Sequence, residues 1–303
     1  MKFALAAVLL GPGTAIAATP EYRGPVYDGA AEGSEDWAYP RIVVERGDSR
    51  MIYNTREPQY ELYLPDPSVA NGAAVIMLPG GGMRMLGVGK GTQTEIDGFL
   101  SQGIAVALLE YRTLQMSPQA VERASAPPPP NAPPMRFPKM DIVNGNANPA
   151  RDNPEIARLI ELAVNDAQAM LAIMHMRAGE WGIDPKRIGL LGTSAGGGVA
   201  FGTLLANAPD EQKPDFFVSI FGPSLQDVAA PEDAPPLYLV TEANHGPVTD
   251  GLMAVFSIWK DAGKPVELHI YEVPNFSMTI DLWGDRLFEW MREQSIIPSG
   301  ESQ

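Results

Sequence analysis

Arg187-Ile-Gly-Leu-Leu-Gly-Thr-Ser-Ala-Gly-Gly197 is the stretch whose reading decides the fold. It opens as a short apolar run, passes through Gly192-Thr193-Ser194-Ala195-Gly196, and leads into a helical stretch from Gly197 to Ala206. A G-x-S-x-G between a strand and a helix holds its serine in a strained turn. The flanking glycines let neighbouring chain pass close enough to leave the hydroxyl exposed. The helix start behind it places positive potential where an oxyanion would form. Without that context the same five residues read as an ordinary glycine-rich turn, so the context is what makes Ser194 a candidate nucleophile.

Outward from this turn, short apolar runs alternate with helical stretches. Ala73–Leu78, Ile104–Leu109, Arg187–Leu191, Phe216–Ile220, Leu237–Val240 and Val266–Tyr271 read as strands, most of them apolar enough to be covered on both faces. Helices are expected at Thr94–Ser101, Pro154 to about Ala178, Gly197–Ala206, Asp250–Ala262 and Asp281 to about Gln294. Along the second, Ile156, Leu159, Ile160, Ala163, Ala167, Met170, Leu171 and Met174 recur at three- and four-residue steps as one apolar stripe. The alternation predicts an α/β protein with a mainly parallel sheet and crossover helices, one domain rather than two. Arg41–Glu45 and Gln59–Leu64 alternate polar with apolar and are expected as antiparallel strands at the sheet edge. Beyond the first of the buried strands, Leu78-Pro-Gly-Gly-Gly82 can aim main-chain amides into a cavity, since no Cβ blocks them. The amides of Gly81 and Gly82, with that of Ala195, form a candidate oxyanion hole.

Composition narrows the function. The 303 residues carry 22 Lys and Arg against 37 Asp and Glu, a net charge of −15, with no Cys and 3 His. So acidic a chain lacks the basic face that nucleic acid requires. It also suits neither an anionic membrane surface nor any cysteine-based metal, iron–sulfur or nucleophile chemistry. Lys2, the apolar run Phe3–Leu10 and the small residues of Ala15-Ile16-Ala17 predict a signal peptide over 1–17. The apolar run is too short to span a bilayer, so the mature chain is expected to be exported, periplasmic or extracellular, starting at Ala18. Residues 18–40 read as an irregular surface arm. Residues 113–153, with Ala126-Pro-Pro-Pro-Pro-Asn-Ala-Pro-Pro134 among them, read as an irregular insertion, either a lid or a solvated loop.

Taken together, Trp181–Gly197, Pro79-Gly-Gly-Gly82, Asp233–Val240 and Ala262–Tyr271 resemble α/β-hydrolases of the acetyl-esterase, xylan-esterase and feruloyl-esterase-like group over roughly residues 60–295. The resemblance implies an α/β-hydrolase fold, with a mostly parallel eight-stranded sheet and helices on both faces. It also implies an ester substrate, Ser194 as nucleophile and no cofactor. A serine hydrolase needs a base for the hydroxyl proton and an acid to orient that base. In this family the acid follows the strand matching Leu237–Val240, and the histidine follows the last strand. Here His245 occupies the first position and Phe276, give or take one residue, the second.

Of the three histidines, His175 and His269 fall within a helix and a strand and read as packed or hydrogen-bonded core residues. His245 lies on a loop at the carboxyl edge of the sheet, where α/β proteins place their chemistry. It is the candidate base, with Glu242, Asp250, Asp227 or Asp281 as its acid. The alternative is a pseudo-hydrolase that binds a small ligand or partner in the inherited pocket. Gly82–Thr92 lacks the spacing of a phosphate loop. Trp283, Leu287, Trp290 and Met291 form a core stripe, and the acids show no metal-ligand spacing. A small-molecule or carbohydrate ester is the expected partner.

Overall fold

In the computed structural model, which describes residues 18–127, 129, 131, 137, 139–274 and 276–299, the apolar runs become strands of a central sheet. The first half of the chain forms β1 (Tyr22–Pro25), β2 (Ile42–Arg46), β3 (Ser49–Tyr53), β4 (Gln59–Tyr63) and β5 (Ala74–Leu78). It continues as β6 (Met85–Val88), α1 (Lys90–Ser101), β7 (Ala105–Glu110) and α2 (Pro118–Ser125). Next come α3 (Pro154–Met176), the single turn α4 (Ala178–Trp181), β8 (Ile188–Thr193), α5 (Ala195–Leu205) and β9 (Phe217–Ile220). The chain closes with β10 (Leu237–Glu242), α6 (Pro247–Asp261), β11 (Val266–Tyr271) and α7 (Ile280–Glu293).

Eight strands form one sheet in the order β1-β4-β7-β5-β8-β9-β10-β11. The pairs from β7 through β11 are parallel, and β4 is antiparallel to both its neighbours, so β4 alone runs against the rest. Successive strand residues point to opposite faces, and both faces are apolar. Val75, Met77, Val106, Leu108 and Leu191 pack with Ile96 and Phe99 of α1 and Trp283, Leu287, Trp290 and Met291 of α7. Ala74, Ile76, Ala107, Leu109 and Leu190 pack with the apolar stripe of α3 and with α5 and α6. Each fully buried Leu or Ile contributes about 1.5–3 kcal/mol. That drive pins the register, because a one-residue slip would exchange the two faces. α3 is also held at its start: Asn153 Oδ1 accepts from the N–H groups of Glu155 and Ile156, and Pro154 fills the first helical position.

Three expectations need correction. Residues 18–40 are not wholly irregular, since β1 pairs with β4 and completes the sheet edge. Only four residues long and holding Gly24 and Pro25, it offers too little alternation to be read as a strand. The arm beyond it is pinned by Tyr27, whose hydroxyl donates to Asp166 at 2.9 Å. Asp166 in turn pairs with Arg112 at 2.7 Å, both being buried. The Arg41 run does not join the main sheet. As β2 it belongs to a separate three-stranded sheet, β2-β3-β6, because the turn at Gly47 (φ 57°) folds it back on β3. The 113–153 insertion is not wholly irregular. Ser117 Oγ accepts from the Ala120 N–H at 3.2 Å and starts α2, while Asn146 and Asn148 are buried against the loop after β9. Most of its proline run lies outside the described residues, as does the expected signal peptide.

Candidate active site

β8 ends at Thr193 and α5 begins at Ala195, leaving Ser194 in the tight turn with φ 52° and ψ −122°. A non-glycine residue at positive φ is strained and persists only where its surroundings hold it. The Ser194 N–H donates to the Ile220 carbonyl at 3.1 Å, which fixes the turn to β9. The flanking glycines are demanded by backbone contact. A Cβ on Gly196 would lie 2.0 Å from the Leu78 carbonyl oxygen, and one on Gly197 would lie 2.4 Å from the Gly222 Cα. Ala195, as the first residue of α5, has an N–H with no acceptor inside the helix.

The turn after β5 presses on the same point. A Cβ on Gly80 would stand 2.9 Å from Ser194 Cβ, and the buried Tyr111 hydroxyl donates to the Pro79 carbonyl at 2.6 Å. Gly81 (φ 147°) and Gly82 (φ 62°) adopt backbone conformations that side-chain-bearing residues avoid. The Gly81 carbonyl accepts from the N–H groups of Arg84 and Met85, curling the loop inward. The Gly81 and Gly82 amides find no acceptor among the described residues. Three unpaired amides thus stand on the two segments that border Ser194.

His245 follows β10 and is 1% exposed, which rules out a solvated loop residue. Its Nδ1–H donates to Glu242 Oε2 at 2.5 Å. Glu242, fully buried at the end of β10, also accepts at Oε1 from the Ser277 N–H at 3.2 Å. One carboxylate therefore ties the loop after β10 to the loop after β11. The other candidate acids stand elsewhere. Asp227 accepts from the side-chain amides of Asn144 and Asn146, which hold its carboxyl below the usual range. Asp250 and Asp281 are exposed in the first turns of α6 and α7, with no bond to His245.

The His245 ring is enclosed by aromatics. Phe137 stacks on it at 4.4 Å between centroids, Phe221 at 5.4 Å, and Phe276 meets it edge-on at 4.8 Å. Phe221 is also one residue beyond the carbonyl that receives the Ser194 N–H, so it adjoins both the elbow and the imidazole. No hydrogen bond joins Ser194 Oγ to His245 among the described residues. Phe137 and Phe221 carry no motif, and the sequence gives no signal for them. His269 is hydrogen-bonded to Glu267, as expected, but on the edge strand β11 and partly exposed, not in the core. His175 on α3 leaves a buried Nε2 without a partner. Among the described residues no group of three or more His, Cys, Asp or Glu is placed to hold a metal ion, and no helix is long and apolar enough to cross a membrane.

Known proteins agree with this architecture. A family model described as alpha/beta hydrolase fold matches residues 158–260, the segment from α3 through the elbow to α6. The acetyl ester-xyloside bifunctional hydrolase of Caldicellulosiruptor lactoaceticus is similar in structure, with a TM-score of 0.57 at 18% identity over 92% of this chain and 98% of that one. Esterase 2 of Thermogutta terrifontis, phosphorylated by paraoxon, gives 0.55 at 16% identity over 84% and 97%. An alpha/beta hydrolase enzyme from a Medee basin deep-sea metagenome library gives 0.54 at 14% identity over 85% and 98%. No curated protein sequence matches the chain. With its eight-stranded sheet, single antiparallel strand and elbow serine, the chain has the α/β-hydrolase fold.

Proposed function

We propose that this chain is an exported carboxylic-ester hydrolase that acts on small acetyl or carbohydrate esters through Ser194. One observation carries the reading: an elbow serine beside unpaired amides and a buried imidazole–carboxylate pair both follow carboxyl ends of the parallel strands, with Phe221 next in the chain to the carbonyl that holds the elbow and stacked on the imidazole. Ser194 Oγ attacks the ester carbonyl carbon while His245 Nε2 takes the hydroxyl proton. Glu242 accepts the Nδ1–H, fixes the tautomer that leaves Nε2 open, and stabilises the imidazolium. The amides of Ala195, Gly81 and Gly82 receive the oxyanion. His245 then protonates the departing alcohol, and water cleaves the acyl-serine with His245 again as base. Substrate draws the imidazole and the serine together, since catalytic hydrogen bonds are often long before binding. Export is supported by Lys2, Phe3–Leu10 and Ala15-Ile16-Ala17, and the ester class by structural neighbours that include an acetyl ester hydrolase and an esterase.

A second reading is favoured by Phe276, which stands on the loop where the family places its base and caps His245 edge-on. Here the chain is a pseudo-hydrolase that holds a small ligand or partner without turnover. Hydrolysis of p-nitrophenyl acetate by the mature protein separates the two. Repeated turnover, lost in both Ser194→Ala and His245→Ala, supports the hydrolase; a rate equal to buffer for all three leaves the binding module.

A further inference from the structure

A cavity of about 170 Å³ lies between the oxyanion turn and the first two turns of α1. Its wall includes Gly80 and Thr193, the residues packed directly against Ser194. Met77, Leu108 and Leu191 give it an apolar surface, and Glu95 is the only charged side chain lining it. A space of this order accommodates a benzene-sized group, since a cavity of about 150 Å³ binds benzene. No hydrogen bond or ion pair reaches Glu95 from the described residues. Burial pushes its carboxyl up to about 7, with no neighbouring charge contributing. The carboxyl is half-buried and no described residue pairs with it, so it is open to a ligand group that can.

We infer that this cavity receives the acyl arm of the ester and that Glu95 selects an acyl group bearing a hydroxyl. The inference rests on the hydrolase reading above. The departing alcohol must be protonated by His245, so it leaves on the His245 side. None of the residues around that ring, Glu242, Phe137, Phe221 and Phe276, lines the cavity, which leaves it to the other arm of the substrate. A hydroxyl both donates and accepts, so it pairs with Glu95 ionised or protonated. A cationic group would serve only the ionised form.

The test compares methyl 3-hydroxybutanoate with methyl butanoate, by NMR titration against Ser194→Ala and by alkali uptake with the Ser194 enzyme. The Ser194→Ala protein should bind the hydroxylated ester about tenfold more tightly, the scale of one hydrogen bond to an ionisable group. Adding Glu95→Leu should reverse the order by weakening the hydroxylated ester and strengthening butanoate, and Glu95→Gln should keep part of the preference. A reversal that includes a gain cannot come from unfolding. Equal binding of the two esters, or a preference that survives Glu95→Leu, overturns the inference even if both esters are hydrolysed. Discrimination in binding without turnover by the Ser194 enzyme would instead overturn the hydrolase reading and keep the cavity assignment.

Discussion

The two halves of the site are built by different means. Around Ser194 the structure is made of backbone: Gly80, Gly192, Gly196 and Gly197 bring three segments within contact, and the amides of Gly81, Gly82 and Ala195 stand without acceptors among the described residues. Around His245 it is made of side chains drawn from four separate segments, namely Phe137, Phe221, the Glu242–His245 loop and Phe276–Ser277. The first half tolerates almost no substitution, because an added Cβ meets a carbonyl oxygen or another Cα. The second is held by side chains alone and can change residue by residue.

The largest effect is expected at the backbone half. Gly196→Val should leave no folded elbow, since its Cβ would fall 2.0 Å from the Leu78 carbonyl oxygen. Overpacking of this kind costs about 1–3 kcal/mol or more. A melting transition and activity lost together are the expected readout; a variant with wild-type stability and turnover would break the contrast. Glu242→Gln leaves the shape intact but deprives the Nδ1–H of its carboxylate, as in serine proteases where the equivalent change costs about 10⁴-fold in kcat. A comparable loss, with melting temperature little changed, should appear in ester turnover.

Phe137→Ala sharpens the tertiary side. Removing a ring stacked at 4.4 Å forfeits about 0.5–1.5 kcal/mol, so turnover should drop about three- to tenfold. An unchanged rate would mean that the insertion does not help position His245.

Smallest is the pH effect at Glu95. Its folded-state pKa is raised from 4.5 to about 7 by burial, so the native state binds the proton more tightly than the unfolded chain. Stability at this site is therefore fullest below about pH 4.5, falls as pH rises towards 7, and stays reduced above it. With the residue half-buried rather than sealed, Glu95→Gln should stabilise by about 1–2 kcal/mol at pH 8 and by almost nothing at pH 4.5. Melting temperatures at the two pH values check this.

The elbow was legible in the sequence because a strand, a five-residue turn and a helix are contiguous, and close approach leaves glycine as its trace. The glycine turn after β5 was legible for the same reason. Glu242 was among the sequence candidates, but nothing local separated it from Asp250, only eight positions away. Its burial and its bond to His245 make the distinction. Phe137 and Phe221 left no trace, since an isolated phenylalanine has no periodicity or spacing to mark what it will touch.

By itself the sequence determined the parallel core, from Ala74–Leu78 to Val266–Tyr271, and the serine turn within it. Both follow from short-range rules: apolar runs must be covered, and tight turns require glycine. Only the tertiary structure decided that β1 closes the sheet edge, that β2 folds onto β3 away from it, and that His245 is enclosed by three aromatic rings and bonded to Glu242. Those outcomes depend on which distant segments share a surface, and that is settled by burial across the whole molecule rather than by any local pattern.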